Sequence, residues 1–180
     1  MVSRSGLALA GVDSGHCRRA HWWGGVPALL AVAVLPALAV SLHGQGQPVR
    51  VNGVRSVSFG TVFPGISKSV PRTDALNSGR FDIRAAAGSQ LQLSFALPAA
   101  MTGPGGATMP LSFGGGDAGF SATQSVTSQV GFDPRVPFVA TMGSPPARAA
   151  VFLGGTVTPL AAQPAGSYTG TITLTVVYFP

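Results

Sequence analysis

The side chains that most often perform catalysis are few and widely separated in this sequence. His43 is the one histidine after an N-terminal apolar block, and the carboxylates that follow are Asp74, Asp82, Asp117 and Asp133. A Ser-His-Asp triad needs a firmly held histidine, and a glycosidase pair needs two carboxylates that the fold brings together. Three of the aspartates lie in turn-like sequences, where such side chains usually bond the local backbone. We therefore predict no catalytic residue and expect a protein that is not an enzyme.

Residues that could bind a metal ion or a cofactor are equally few in this sequence. Cys17 is the only cysteine, and it precedes the apolar block, so no thiol follows that block. The three glycines at residues 114–116 lack the Gly-Lys-Ser/Thr continuation and the helix of a phosphate-binding loop. No dense aspartate loop of the calcium-binding type is present either. We predict no metal site and no cofactor.

The net charge of +6 rests on a small number of charges, since only 9% of the residues are charged. Eight basic residues follow the apolar block, namely Arg50, Arg55, Lys68, Arg72, Arg80, Arg84, Arg135 and Arg148. They are scattered, and aromatic residues do not alternate with them as in a nucleic-acid-binding patch. We interpret them as solvated positions on strands and loops, and we predict no nucleic-acid partner.

Residues 1–39 have the pattern of a secretory signal peptide. An arginine pair precedes an apolar stretch that ends in the small residues Ala37 and Ala39, which gives a basic region, an apolar region and a small-x-small cleavage site. Residues 40–48 follow as a flexible polar linker. The alternative is an uncleaved membrane anchor, although two prolines interrupt a stretch close to the minimum spanning length. We expect export to the periplasm, cell surface or medium, with membrane contact only during export.

The composition of the remaining chain favours strands over helices. The sequence contains 25 glycines, 15 prolines and no glutamate, a poor basis for exposed amphipathic helices. Short alternating stretches recur at intervals of about ten residues, the spacing typical of β-sandwiches. We predict that residues 49–180 form an all-β, immunoglobulin-like sandwich of about seven or eight antiparallel strands.

Several strands can be placed from alternation. Residues 80–87 and 90–97 each alternate and are joined by Gly88-Ser89, which predicts a hairpin. A strand over residues 149–160 contains two central glycines that predict a bulge or bend, and a further bulge or turn is expected at Asn52-Gly53. The clearest strand lies within residues 167–180, where one face carries Ile172, Leu174, Val176 and Tyr178.

Tyr168 stands just before that last strand, in the sequence Pro-Ala-Gly-Ser-Tyr. This context fits the tyrosine corner of immunoglobulin-like sandwiches, in which the hydroxyl bonds backbone across a loop. We predict a structural role for Tyr168.

Two segments carry a resemblance to a known family. The first is residues 57–65, with Phe59-Gly60-Thr61, and the second is residues 165–178, with Gly166-Ser-Tyr168-Thr-Gly170. Together they resemble the secreted bacterial family catalogued as domain of unknown function 4402, which is similar to spore coat protein U and to archaic chaperone–usher pilins. The resemblance implies an incomplete sandwich that a strand from a chaperone or a neighbouring subunit completes. It also implies structural roles for the motif residues Phe59, Gly60, Gly166, Tyr168 and Gly170.

The partner expected from this pattern is another strand. A strand at the edge of an open sheet leaves backbone donors and acceptors unpaired, and these invite strand addition. The segment of residues 49–57 is a possible donor through Val49, Val51, Val54 and Val57; alternatively, it pairs within its own subunit. We expect a surface or fimbria-like structural subunit that associates with itself or with a periplasmic chaperone. The alternative is a monomeric extracellular binding module, adhesin-like or lectin-like, that uses the glycine-rich loops of residues 98–119.

Overall fold

The structure, a computed structural model, describes residues 48–179. The predicted signal peptide and most of the predicted linker lie outside these residues. The described chain contains one turn of 3-10 helix, η1 (Pro104–Gly106), and is otherwise made of strands, turns and loops. The strands are β1 (Arg50–Arg55), β2 (Lys68–Val70), β3 (Gly79–Arg84), β4 (Gln90–Ala96), β5 (Ala100–Thr102), β6 (Thr108–Ser112), β7 (Ala118–Ser121), β8 (Val130–Phe132), β9 (Phe138–Thr141), β10 (Arg148–Leu153), β11 (Gly155–Val157) and β12 (Thr173–Phe179).

These strands form three antiparallel sheets. One has the order β1-β3-β10-β7-β8, the second β2-β11-β6-β5 and the third β12-β4-β9. The prediction of an all-β, immunoglobulin-like sandwich is confirmed. The predicted number of strands is too low, because the described residues contain twelve. Much of the excess comes from long strands that are interrupted, such as β10 and β11, which Gly154 alone separates.

The main core lies between the five-stranded and three-stranded sheets. Ile83 of β3 and Val151 of β10 share one buried cluster with Leu91 and Leu93 of β4, and all four side chains are inaccessible to solvent. Full burial of such a side chain contributes about 1.5–3 kcal/mol. The alternation of apolar residues determines which side chains face inward. The burial of these side chains holds the two sheets together.

A second, smaller core belongs to the four-stranded sheet. Met109 and Leu111 of β6 and Val157 of β11 are buried there, and Phe59 and Met101 pack against them. The chain passes between the two cores at Gly154, whose N–H donates to the carbonyl of Asp117 at 2.7 Å. A Cβ at this position would overlap the carbonyl oxygen of Val70. The bend predicted in the middle of this strand is thus present, and it depends on glycine.

The predicted hairpin of residues 80–87 and 90–97 is wrong. Both strands exist, but β3 pairs with β1 and β10, whereas β4 pairs with β12 and β9. The turn at Gly88 therefore carries the chain from one sheet to the other. The physical reason is that both strands have a strongly apolar face, and these faces bury each other across the core.

The bulge expected near Asn52-Gly53 is present. The pairing of β1 with β3 shifts register between Gly53 and Arg55. Beyond the bulge, the Arg55 side chain donates to the carbonyl of Ser78 at 2.6 Å and to that of Ala75 at 2.5 Å. These bonds fix the end of β1 to the loop that precedes β3.

Candidate functional site

The first and last strands of the described chain lie at the edges of their sheets. Among residues 48–179, β1 pairs with β3 alone, and β12 pairs with β4 alone. Each strand therefore has one backbone edge with no partner strand in the described chain. Unpaired edges of this kind accept strands from other molecules.

A groove separates the end of β1 from the start of β12. It consists of a lobe of about 390 Å³ and a larger lobe of about 620 Å³, and both are lined by Val57, Met101 and Tyr168. One wall is formed by residues 53–64, and the opposite wall by residues 163–172. The groove therefore lies between the end of β1 and the segment that leads into β12.

The floor of this groove is apolar. Phe81, Met101, Leu111 and Leu153 line the smaller lobe, and Met109 lines the larger one. Several of these residues belong to the two cores or pack against them. The groove thus reaches down to the apolar interior of the sandwich, where Met109, Leu111 and Leu153 are themselves buried.

The inward face of β12 is only half covered. Its burial alternates strictly between half-buried and exposed residues. Leu174, Val176 and Tyr178 pack against the main core, yet none reaches the full burial of Leu91 and Leu93 on the neighbouring strand β4. This is the burial pattern of a strand that lacks one neighbour.

The segment leading into β12 is attached on one side. Thr169 and Thr102 exchange two backbone hydrogen bonds, of 2.8 and 2.9 Å. This bridge extends the β12–β4 pairing onto β5. The attached side faces β5, so the opposite side of the segment faces the groove.

Tyr168 forms the corner at the head of the groove. Its hydroxyl donates to the carbonyl of Pro164 at 2.8 Å and accepts from Nε2 of Gln163 at 2.7 Å. The first of these is the bond expected of a tyrosine corner. The ring lies so close to Gly103 that a Cβ there would overlap it. Tyr168 thereby joins the corner to the loop between β5 and β6.

The residues of the resemblance motifs all line this groove. Phe59, Gly60, Gly166 and Tyr168 line the larger lobe, and Gly170 lines the smaller one. Gly60 has a φ of +59°, which favours glycine. Gly166 has a φ of +148°, and a Cβ there would also overlap the ring of Pro104. The two motifs, about a hundred residues apart, thus build opposite walls of one groove.

The valines proposed as a donor strand lie in or beside β1. Val51 lies opposite Ile83 of the same chain, while Val49 and Val57 pack against the main core. Val54 is exposed at the bulge. In this structure the segment has the second of the two expected arrangements, pairing within its own subunit.

Three of the four aspartates accept hydrogen bonds from residues close to them in the sequence. Asp74 accepts from the backbone N–H groups of Leu76 and Asn77, and side-chain and backbone bonds from Asn77 lower its pKa. Hydrogen bonds from Arg135 lower the pKa of Asp133 to about 2. Asp117 accepts from the N–H of Gly114 at 2.7 Å. These bonds match the turn roles predicted for the three aspartates.

Asp82 differs from the other three aspartates because it lies within a strand, where it pairs with Arg80 at 2.7 Å.

Within residues 48–179, no three histidine, cysteine or acidic side chains are grouped so as to hold a metal ion. No helix in the described part of the chain is long and apolar enough to cross a membrane.

The sequence indicates a short alternating stretch at residues 109–113, which is β6 in the structure, but it does not indicate that Met109 lines a groove. For Met101 the sequence gives no signal, because β5 has only three residues. Much of the presumed loop of residues 98–119 is in fact β5, η1 and β6.

A family match covers the part of the chain that forms the groove. The model of the family described as domain of unknown function (DUF4402) matches residues 44–178, which include both groove walls. The chain belongs to the DUF4402 family. No curated protein and no solved structure gave a significant match. The family therefore supports the resemblance drawn from the motifs and carries no assigned activity.

Proposed function

We propose that this DUF4402 protein is an exported, non-enzymatic structural subunit of a surface or fimbria-like assembly, joined to its partners by β-strand addition. The observation that supports the proposal is the apolar groove between the end of β1 and the segment that leads into β12, two strands that each have a free edge in the described chain. The kinship with spore coat protein U and chaperone–usher pilins is part of the same proposal.

The physical basis is the gain from filling the groove. An added strand would pair with the free edge of β12 and continue along residues 169–172, where its alternate side chains would enter the groove near Met101, Leu111 and Leu153. Three buried apolar side chains contribute about 5–9 kcal/mol before the entropy of ordering the donor is subtracted. The added strand would also cover the half-buried face of β12.

Two donors fit this geometry. One is the segment of residues 49–57 from a second copy, which would exchange its own β1–β3 pairing for an intermolecular one. That exchange breaks the bonds from Arg55 to Ser78 and Ala75. The other donor is a strand of a periplasmic chaperone with alternating apolar residues, which leaves β1 in place.

Gel electrophoresis of the mature protein, residues 40–180, tests the assembly. We expect unheated samples to form a ladder of multimers that collapses to one band after heating, because strand addition is cooperative and non-covalent. A monomer at every concentration, with or without the co-expressed chaperone, would contradict strand addition.

An engineered disulfide separates the two donors. Asn52 and Asp82 lie directly opposite each other on β1 and β3, and opposite residues of antiparallel strands are within disulfide reach. The Asn52→Cys/Asp82→Cys variant therefore locks β1 to its own sheet. Loss of multimers in the oxidised variant, with recovery after reduction, identifies residues 49–57 as the donor. Unchanged multimers exclude residues 49–57 as the donor.

The monomeric binding module is the second candidate. Its supporting observation is the larger lobe of the groove, about 620 Å³, where Ser58, Thr61 and Gln163 supply polar groups beside the apolar floor. Such a mixed cavity suits a small ligand. A protein that stays monomeric and binds a glycan through this lobe would favour the module over the subunit.

A further inference from the structure

Three arginines that are far apart in the sequence lie side by side in the five-stranded sheet. Arg84 of β3 is directly opposite Arg50 of β1 on one side and Arg148 of β10 on the other. All three are exposed. Directly opposed residues on antiparallel strands point to the same face, so their side chains form a row across three strands.

This arginine row is unusual because its members have no partner among the described residues. The other four arginines of the described chain all have one: Arg55 bonds the carbonyl of Ser78, Arg72 that of Gly116, Arg80 pairs with Asp82, and Arg135 with Asp133. In the described part of the chain, no hydrogen bond or ion pair joins the side chain of Arg50, Arg84 or Arg148 to another residue. The row therefore offers three guanidinium groups to an external ligand.

The arrangement works against the stability of the folded state. Adjacent strands are about 4.8 Å apart, which is below the screening length of about 8 Å at physiological salt. Arginine stays protonated in proteins, and like charges placed opposite each other in a sheet repel. The closest carboxylate on the same strand face is Asp82, and Arg80 already binds it through two bonds.

A groove surrounds the arginine row. It has a volume of about 480 Å³ and is bounded by all three arginines together with Pro48, Pro145 and Pro146. The row lies at the end of β10 remote from Asp117, whose carbonyl accepts from Gly154. The site shares no lining residue with the groove described above.

We propose that the arginine row is a binding site for a phosphate-type oxyanion. Guanidinium groups bind phosphate through paired N–H donors. Three of them across about 10 Å of sheet fit two linked phosphate groups better than one. The ligand is a soluble phosphate ester or the phosphorylated headgroup of a lipid. This proposal does not depend on strand addition.

Thermal unfolding of the mature protein with inorganic pyrophosphate tests the site. We expect pyrophosphate to raise the wild-type Tm, and phosphate to do so less at matched ionic strength. Arg84→Gln should weaken pyrophosphate binding at least tenfold, because the central guanidinium serves both neighbours. The matched control is Lys68→Gln, which removes one positive charge from the four-stranded sheet and should change binding less than twofold.

The ligand-free Tm is a second readout. Arg84→Gln should raise it by about 3 °C, since the substitution relieves two cross-strand repulsions. Vesicles of phosphatidylcholine with and without phosphatidic acid distinguish the two sources of the phosphate group. Selective co-sedimentation assigns a lipid headgroup, and a response to pyrophosphate alone assigns a soluble ester. The proposal is overturned if neither probe binds, or if Arg84→Gln binds as the wild type does.

Discussion

Thr169 is held to Thr102 by a reciprocal pair of backbone hydrogen bonds, of 2.8 and 2.9 Å. This isolated bridge holds the chain four residues before β12, whose residues Thr173–Phe179 pair with β4 on one side. On its other side, facing Val57, the described chain supplies a groove instead of a strand.

The hydroxyl of Tyr168 should contribute measurably to stability. Tyr168→Phe removes the bond to Pro164 and the bond from Gln163, and we expect a loss of about 1–2 kcal/mol in the free energy of unfolding. Urea titration followed by circular dichroism measures it. Tyr178→Phe is the control, because Tyr178 is also half-buried but has no hydroxyl hydrogen bond within the described residues. Equal losses in the two variants would show that the corner bonds do not matter.

Gly154 should not tolerate a side chain. In Gly154→Ala the new Cβ would overlap the backbone of β2 at Val70, which cannot move without breaking its pairing with β11. We expect a loss of about 3 kcal/mol or more, or failure to fold. At Gly143 a Cβ would make only ordinary contacts, at 3.7 Å, so Gly143→Ala should leave the urea midpoint nearly unchanged. A stable Gly154→Ala variant would disprove the tight crossing between the two cores.

Asp133 should make stability depend on pH in the acid range. Its pKa falls from 3.8 to about 2 in the folded protein because Arg135 bonds the ionised carboxylate. A depressed pKa stabilises the fold above the ordinary pKa, and that stabilisation is lost as the pH falls through the folded value. Between pH 4 and pH 2 the Tm of the wild type should therefore fall more steeply than that of Asp133→Asn. Parallel curves would show that the ion pair adds nothing to folding.

The sequence predicts which face of each strand is buried better than it predicts which strands pair with each other. Alternation correctly places Ile83, Leu91 and Leu174 toward the interior. The same alternation suggested a hairpin between β3 and β4, which is wrong. Period-two patterning specifies which side of a strand is apolar, whereas the choice between edge pairing and face packing is made by the whole sandwich.

The two candidate sites differ in how far the sequence predicts them. The motifs predict structural roles for Phe59, Gly60, Gly166 and Tyr168, but not the groove that these residues line. The arginine row is not predicted at all, since Arg50, Arg84 and Arg148 are separated by 34 and 64 residues and no charge run marks them. Only the register of β1, β3 and β10 brings them together. From the sequence alone these scattered charges are expected to be solvated, because linear spacing carries no information about register.

Amide hydrogen exchange along β12 tests the central claim most directly. Successive N–H groups of an edge strand point alternately toward its partner and away from it. In the isolated monomer, every second amide of Thr173–Phe179 should exchange fast, and in the multimer these same amides should slow by about a hundredfold or more. If the alternate amides are already protected in the monomer, or remain fast in the multimer, assembly by strand addition to β12 is refuted.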